Sequence, residues 1–159
     1  KHISGCICEF GVFQGYTLKL LSNFNPDKNI YGFDSFEGLP SDWRSGFLKG
    51  EFKTTIPLFN ESNIALYKGW FSDTIPSFIS EKNEKISLLH IDCDLYESTR
   101  CVFDHLWDHL ADGAIIVFDE YFNYPGWEDH EHKALSEVKG NFIYLAYNPQ
   151  GQQVIIKKT

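Results

Sequence analysis

The sequence predicts a doubly wound α/β domain, a mostly parallel sheet of seven strands closed by an antiparallel terminal hairpin strand. Three observations predict it. Short apolar runs alternate with stretches of helical periodicity along most of the chain. The run Ala114–Phe118 is almost wholly apolar, as a strand covered on both faces requires. Two final apolar runs are separated by Asn148-Pro149-Gln150-Gly151, a turn signal that makes them antiparallel neighbours. At 159 residues the chain is long enough for one core and too short for two of ordinary size, so 1–159 reads as a single domain.

The elements follow in order. Cys6 to Phe10 is a short apolar strand that runs into Gly11-Val12-Phe13-Gln14-Gly15 and then a helix from Tyr16 to Leu21, which is strand, glycine turn and helix. After the break at Asn25-Pro26-Asp27, Ile30 to Phe33 forms a second strand closed by Asp34. Ser35 to about Thr55 carries Gly38, Pro40, Gly46 and Gly50 and reads as loop with room for one short helix. Ile64 to Tyr67 is a third strand leading into Lys68-Gly69-Trp70-Phe71, and Ser72 to Ser80 a helix restricted in its middle by Pro76. The fourth strand, Ile86 to Ile91, runs into Asp92-Cys93-Asp94. An apolar face through Val102, Phe103, Leu106 and Leu110 predicts a helix over Leu95–Leu110. Ala114 to Phe118 ends at Asp119-Glu120-Tyr121. A polar stretch then leads to a helix near Lys133–Val138, and the hairpin of Phe142–Tyr147 and Val154–Lys157 finishes the chain.

Composition narrows the function classes. With 43% hydrophobic and 23% charged residues, the chain is far from the profile of a disordered segment. Fourteen basic against twenty-two acidic side chains give a net charge of -8, which opposes phosphate backbones and anionic lipids. Neither nucleic acid nor membrane is therefore expected as a partner. No apolar run approaches the roughly 20 residues needed to cross a bilayer, and no signal-peptide pattern is present. Cys6, Cys8, Cys93 and Cys101 form no CxxC pair, so they read as buried free thiols of a reducing, cytoplasmic setting. The chain starts at Lys1 directly before a strand and contains no methionine, so it reads as trimmed at its amino end.

In an open parallel sheet, ligands bind beyond the carboxyl ends of the strands. Those ends carry Glu9-x-Gly11-x-x-x-Gly15, Asp34, Gly69-Trp70-Phe71, Asp92-x-Asp94 and Asp119-Glu120. Any one acidic residue there is explained by capping of the helix that follows. The whole set is explained better by a ligand, because a carboxylate in a crevice is costly without a partner. A glycine turn after the first strand lets backbone approach a ligand. An acidic residue closing the next strand accepts hydrogen bonds from ribose hydroxyls, so Asp34 specifies an adenosine-type ligand. Glu9 in the first turn would repel a pyrophosphate and suits a cationic ligand such as S-adenosylmethionine (SAM). Asp92, Asp94, Asp119 and Glu120 offer oxygen ligands only, which favours Mg²⁺ or another hard divalent cation. Such a cation would lower the pKa of a substrate hydroxyl, and a remaining carboxylate could take the proton.

In order, Cys8–Gly15, Gly32–Pro40, Lys68–Pro76, Ile91–Thr99 with its Leu95-Tyr96-Glu97-Ser98-Thr99 block, and Asp119-Glu120-Tyr121 resemble the motifs of the macrocin O-methyltransferase family. That family includes the metal-dependent sugar O-methyltransferases of antibiotic pathways. The resemblance implies the class I methyltransferase fold, a Rossmann-like sheet, and SAM-dependent methylation of a hydroxyl on a sugar or small-molecule acceptor. It implies Asp92, Asp119 and Glu120 as metal ligands and Asp94 as the general base. Glu9, Gly11 and Gly15 would border the methionine part of SAM, Asp34 would hold the ribose, and Ser35, Trp70 and Phe71 would lie near the adenine. Gly69 and Asp92 belong to the same cofactor-binding rim. The family carries Asp-Asp-Tyr where this chain has Asp119-Glu120-Tyr121, and an amino-terminal helical segment that no residues here match.

Other candidates are weaker. His105 and His109 have the spacing of a metal pair but sit among Asp104 and Asp108 on a predicted exposed face. His130 and His132 lie in the loop after Tyr121, on the acceptor side. Trp43, Tyr124 and Trp127 could wall an acceptor or pack on the sheet, and Cys93 is assigned to the core by strand alternation. Two other functions compete: a non-catalytic domain that binds SAM or a nucleoside and acts through a partner protein, and a nicotinamide-dependent oxidoreductase, which Glu9 opposes. Acceptor identity and oligomeric state are not encoded in these motifs.

Overall fold

The computed structural model describes residues 3–159; Lys1 and His2, and with them the reading of the amino end, lie outside the described residues. Its strands are β1 (Cys6–Phe10), β2 (Ile30–Asp34), β3 (Ile64–Lys68), β4 (Ile86–Ile91), β5 (Leu110–Phe118), β6 (Phe142–Tyr147) and β7 (Val154–Lys158). The helices are α1 (Tyr16–Phe24), α2 (Phe71–Glu81), α3 (Tyr96–Leu106) and α4 (Glu131–Ser136). One seven-stranded sheet runs in the order β3-β2-β1-β4-β5-β7-β6. Every pairing from β3 to β5 is parallel, and β7 is antiparallel to both β5 and β6. This is the predicted architecture, and the point where strand order reverses lies between β1 and β4.

The alternation of side chains along a strand sorts β1 between two cores. Cys6, Cys8 and Phe10 join a large cluster with Phe33, Ile75, Phe78, Val102, Phe103, Leu106, Phe118 and Ile156. Ile7 faces the other way, into a smaller cluster with Val12, Leu18, Ile30 and Phe36. All five β1 residues are buried. At about 1.5–3 kcal/mol for each fully buried large apolar side chain, residues such as Phe10, Phe33 and Leu18 hold the central strands and α1 in place.

Three local expectations are corrected. No helix forms between Ser35 and Asn63; the segment is turns and extended backbone throughout. The helix predicted to reach Leu110 ends at Leu106, followed by a 3-10 turn over Trp107–His109, and Leu110 opens β5 opposite Ile86. Leu110 is buried in either arrangement, so its place in the apolar repeat could not distinguish helix from strand; the pairing with Ile86 decides it. The helix near Lys133 starts earlier, at Glu131, and ends at Ser136. Pro76 lies inside α2, where the missing N–H leaves the Ser72 carbonyl without a helical donor.

Candidate active site

The parallel ladders continue one residue past the strands and align the rim. Gly11 N–H donates to Phe33 O at 3.0 Å, Gly69 N–H to Asp34 O at 3.0 Å, Asp92 N–H to Phe10 O at 2.9 Å and Asp119 N–H to Ile91 O at 3.0 Å. Beyond this rim opens a cavity of about 450 Å³ lined by Gly11, Asp34, Ser35, Trp70, Phe71, Asp92, Asp94 and Glu120 among others. The carboxylates are not helix caps: α1, α2, α3 and α4 all lack a side-chain cap hydrogen bond. Arg100 pairs with Asp104 and Glu137, not with the rim.

Gly11 is where backbone approaches most closely. Its φ is 94°, and a Cβ placed there would lie 1.7 Å from the Asp92 carbonyl oxygen. Both facts demand glycine. We expect Gly11→Ala to destabilise the fold by about 2–5 kcal/mol, read as a lower denaturant midpoint; an unchanged midpoint would contradict this packing.

Asp34 is fixed by its own turn. Its Oδ2 accepts from Val12 N–H at 2.9 Å and Phe13 N–H at 2.8 Å, and its Oδ1 accepts from Phe36 N–H at 2.7 Å. One carboxylate thus orders both loops that flank the cavity. Oδ1 keeps lone-pair capacity for a hydroxyl donor.

Three predicted cofactor-binding residues do not line the cavity. Glu9 is 1% exposed and does not line the cavity. Its Oε1 meets His90 Nδ1 at 2.9 Å, across the β1–β4 register, while Oε2 is buried with no hydrogen-bond partner. Burial raises the Glu9 pKa and His90 opposes the rise. Burial would lower the His90 pKa, but the Glu9 contact together with the Asp92 and Asp119 charges outweighs it and the net shift is upward. Gly15 caps α1 at φ 79° beneath the Phe59 ring, where a Cβ would lie 2.4 Å from Phe59 Cζ. Gly69, at φ 143°, carries the Trp70-Phe71 turn but is not on the cavity wall.

Asp92, Asp119 and Glu120 each offer a carboxylate oxygen, all within 4.8 Å of one another, the one such trio among the described residues. Their neighbour Asp94 is held at φ 62°, a left-handed conformation that aspartate adopts more readily than most residues and that concentrates at functional sites. Burial raises Asp92 to about 7, with Asp119, Asp94 and Glu9 adding to the rise and His90 opposing it. Burial also raises Asp94 to about 7, with Asp119 adding and Arg44 opposing. Glu120 goes to about 10 through burial and the three surrounding aspartates. Its Oε2 is buried without a hydrogen-bond partner. Gln153 Nε2 donates to Asp119 Oδ1 at 3.1 Å. Such a set of desolvated, mutually repelling oxygens fits a hard cation: it supplies several hard ligands, leaves Glu120 Oε2 without a partner and is costly when left to itself.

Sequence reasoning missed two residues next to this cluster. Arg44 lies over Trp43 at 3.9 Å and Tyr124 at 4.5 Å, its Nε buried without an acceptor, and its charge acts on Asp94. Glu131 is fully buried at the start of α4 with neither carboxylate oxygen bonded, and its pKa is pushed well up by burial. The signal for Arg44 was a cation beside Trp43 in a glycine-rich loop; Glu131 had none beyond its place near His130 and His132. The expected aromatic wall divides in two. Trp43 packs with Tyr124 and His130, whereas Trp127 packs with His132. His105 Nδ1 bonds the Cys101 carbonyl on an exposed helix face, as a surface residue does. Cys93 is buried in the core cluster and also touches the cavity.

Comparison with known proteins bears on this geometry. The pattern of the family described as "Methyltransferase domain" matches residues 8–121. Demethyldecarbamoylnovobiocin O-methyltransferase of Streptomyces niveus is 24% identical, the match covering 91% of this chain and 64% of that enzyme. A tetracenomycin-C rhamnosyl 4'-O-methyltransferase of Streptomyces olivaceus is 23% identical, covering 75% of this chain and 54% of that enzyme. The chain thus spans less than two thirds of the length of these relatives. Among solved structures, the calicheamicin methyltransferase CalS11 superposes with a TM-score of 0.79 at 25% identity, covering 97% of this chain and 72% of that one. The O-methyltransferase NovP shares the fold with a TM-score of 0.73 at 21% identity, covering 99% of this chain and 73% of that one.

Proposed function

The chain belongs to the methyltransferase-domain family, and from that premise we propose that it transfers a methyl group from SAM to a hydroxyl of a sugar or other small-molecule acceptor, assisted by a divalent cation. The finer kinship we propose is with the macrocin-type O-methyltransferases, in keeping with the O-methyltransferase relatives. The observation that carries the metal-assisted reading is the trio of Asp92, Asp119 and Glu120 oxygens, within 4.8 Å of one another, of which Asp92 and Glu120 line the cavity that Asp34 also lines.

In this reading Asp92, Asp119 and Glu120 hold the cation, and Gln153 keeps the Asp119 carboxylate in orientation. Asp34 accepts from a ribose hydroxyl with its Oδ1. Gly11 and Asp92 border the methionine end, and Ser35, Trp70 and Phe71 flank the adenine. Glu9 works from beneath, as a buried carboxylate paired with His90, rather than by touching the donor. When bound, the cation lowers the pKa of the acceptor hydroxyl and SAM supplies the methyl group. Asp94 accepts the hydroxyl proton while the new O–CH₃ bond forms and the S–CH₃ bond breaks, its electron pair remaining on sulfur. Burial raises the Asp94 pKa to about 7 in the metal-free chain, and a cation held by its neighbours would favour the ionised form that takes the proton. Trp70, Phe71 and Leu39 give the cavity part of its apolar wall.

The test is calorimetry with SAM, S-adenosylhomocysteine and NAD, each with and without Mg²⁺. Binding of SAM strengthened by Mg²⁺, with no binding of NAD, is the expected result. Binding of SAM that ignores Mg²⁺, with no methyl transfer to any hydroxylated acceptor, would replace the enzyme by a binding domain that works through a partner.

A further inference from the structure

Two phenylalanines at the mouth of the cavity stand in left-handed backbone conformations, Phe13 at φ 49° and Phe52 at φ 65°. For a bulky side chain such a φ is an outlier, and outliers of this kind persist only where the surrounding bonds enforce them. They are enforced here. Phe13 N–H donates to Asp34 Oδ2 at 2.8 Å, and Gly15 N–H donates to Val12 O at 2.8 Å. Around Phe52, Leu39 N–H donates to Glu51 O at 2.9 Å and Lys53 N–H to Gly50 O at 3.2 Å.

Core packing does not account for the two rings. Phe13 is 40% and Phe52 38% exposed, so the strain is not offset by burial. Instead the rings meet each other edge to face, centroids 5.9 Å apart, from two segments far apart in sequence, and both line the cavity. Phe47 stacks behind Phe52 at 5.6 Å. Phe13 follows Gly11, which backs onto Asp92, and is bonded through its backbone to Asp34. Phe13 thus belongs to the stretch of cavity wall that runs from Asp34, assigned to the ribose, to Gly11 and Asp92, assigned to the methionine end.

We propose that Phe13 and Phe52 form an aromatic clamp that recognises the positive charge of the methyl donor, the sulfonium, through their ring faces. The proposal rests on the reading of this cavity as the SAM site. Ring faces attract a cation and not its neutral counterpart. Methyl transfer converts the sulfonium into a neutral thioether, so the clamp weakens on the product and favours its exchange for fresh donor.

Discrimination by charge is what the experiment reads. Dissociation constants for SAM and for S-adenosylhomocysteine are measured by calorimetry at fixed Mg²⁺ on the wild-type chain, Phe13→Leu and Phe52→Leu. Either leucine variant is expected to weaken SAM about fivefold or more, with a clearly smaller loss for S-adenosylhomocysteine. Phe13→Tyr and Phe52→Tyr, which keep an aromatic face, are expected to restore the wild-type ratio and so separate the clamp from general damage to the fold. Equal losses for both nucleosides, or tyrosine variants that behave like the leucine ones, would mean that the rings only fill space and overturn the clamp. A wild-type chain that binds neither nucleoside overturns the SAM reading itself and the clamp with it, a result distinct from equal losses.

Discussion

Asp94→Asn is expected to lower methyl transfer by about 10²–10⁴-fold, the usual worth of a positioned general base, with SAM affinity nearly unchanged. The substitution is close to isosteric, so the left-handed turn at φ 62° and the bond from Leu95 N–H to Cys93 O at 2.6 Å should survive. What is lost is the ability to accept a proton. Asp34→Ala should do the reverse and more: it removes the acceptor of three backbone N–H groups and loosens both flanking loops, so donor affinity falls first. Turnover and calorimetry on the two variants check this together. Equal loss of binding in both would contradict the separate roles proposed for the two carboxylates.

The acidic cluster makes a second large effect depend on pH and metal. Asp92 and Asp94 sit near 7 and Glu120 near 10 in the folded chain, against about 4 for ordinary carboxylates in an unfolded one. Folding therefore takes up protons above about pH 4, and stability without metal must fall as pH rises from there through 7 and beyond. This is the opposite of the usual salt-bridged carboxylate, whose contribution is lost on acidification. A cation replaces those protons, so the increase in melting temperature on adding Mg²⁺ should grow from pH 6 to pH 8. Glu120→Gln then has two opposed consequences at pH 8. The metal-free protein should gain stability, at about 2–4 °C for each kcal/mol of proton-uptake cost removed, while Mg²⁺ affinity should fall by about 100-fold or more, the scale set by loss of supporting groups alone. Thermal scans with Mg²⁺ and with a chelator measure both. A Mg²⁺ shift that is flat with pH, or unchanged in Glu120→Gln, would remove Glu120 from the metal site.

The glycine turn at Gly11, the acidic residue Asp34 closing β2 and the clustered acids after β4 and β5 could all be read in the sequence because each lies at the end of an element marked by local periodicity. Leu110 could not be assigned, because a residue buried in both alternatives carries no periodic signal to separate them. Glu9 shows the same limit at the site. Its position at the end of β1 was legible, but its partner was not, since His90 is 81 residues away and meets it only through strand register.

By itself, then, the sequence determined the order of strands and helices and the gathering of acids along one rim, because alternation, apolar runs and turn residues act over a few neighbours. Only the tertiary structure decided which acids open onto the cavity and which are sealed beneath it. It also brought Arg44 to Asp94 and Phe52 to Phe13, from a loop with no regular element of its own. The physical reason is that side-chain partners across strands and between loops are set by register and packing among distant segments, and no short-range pattern records them.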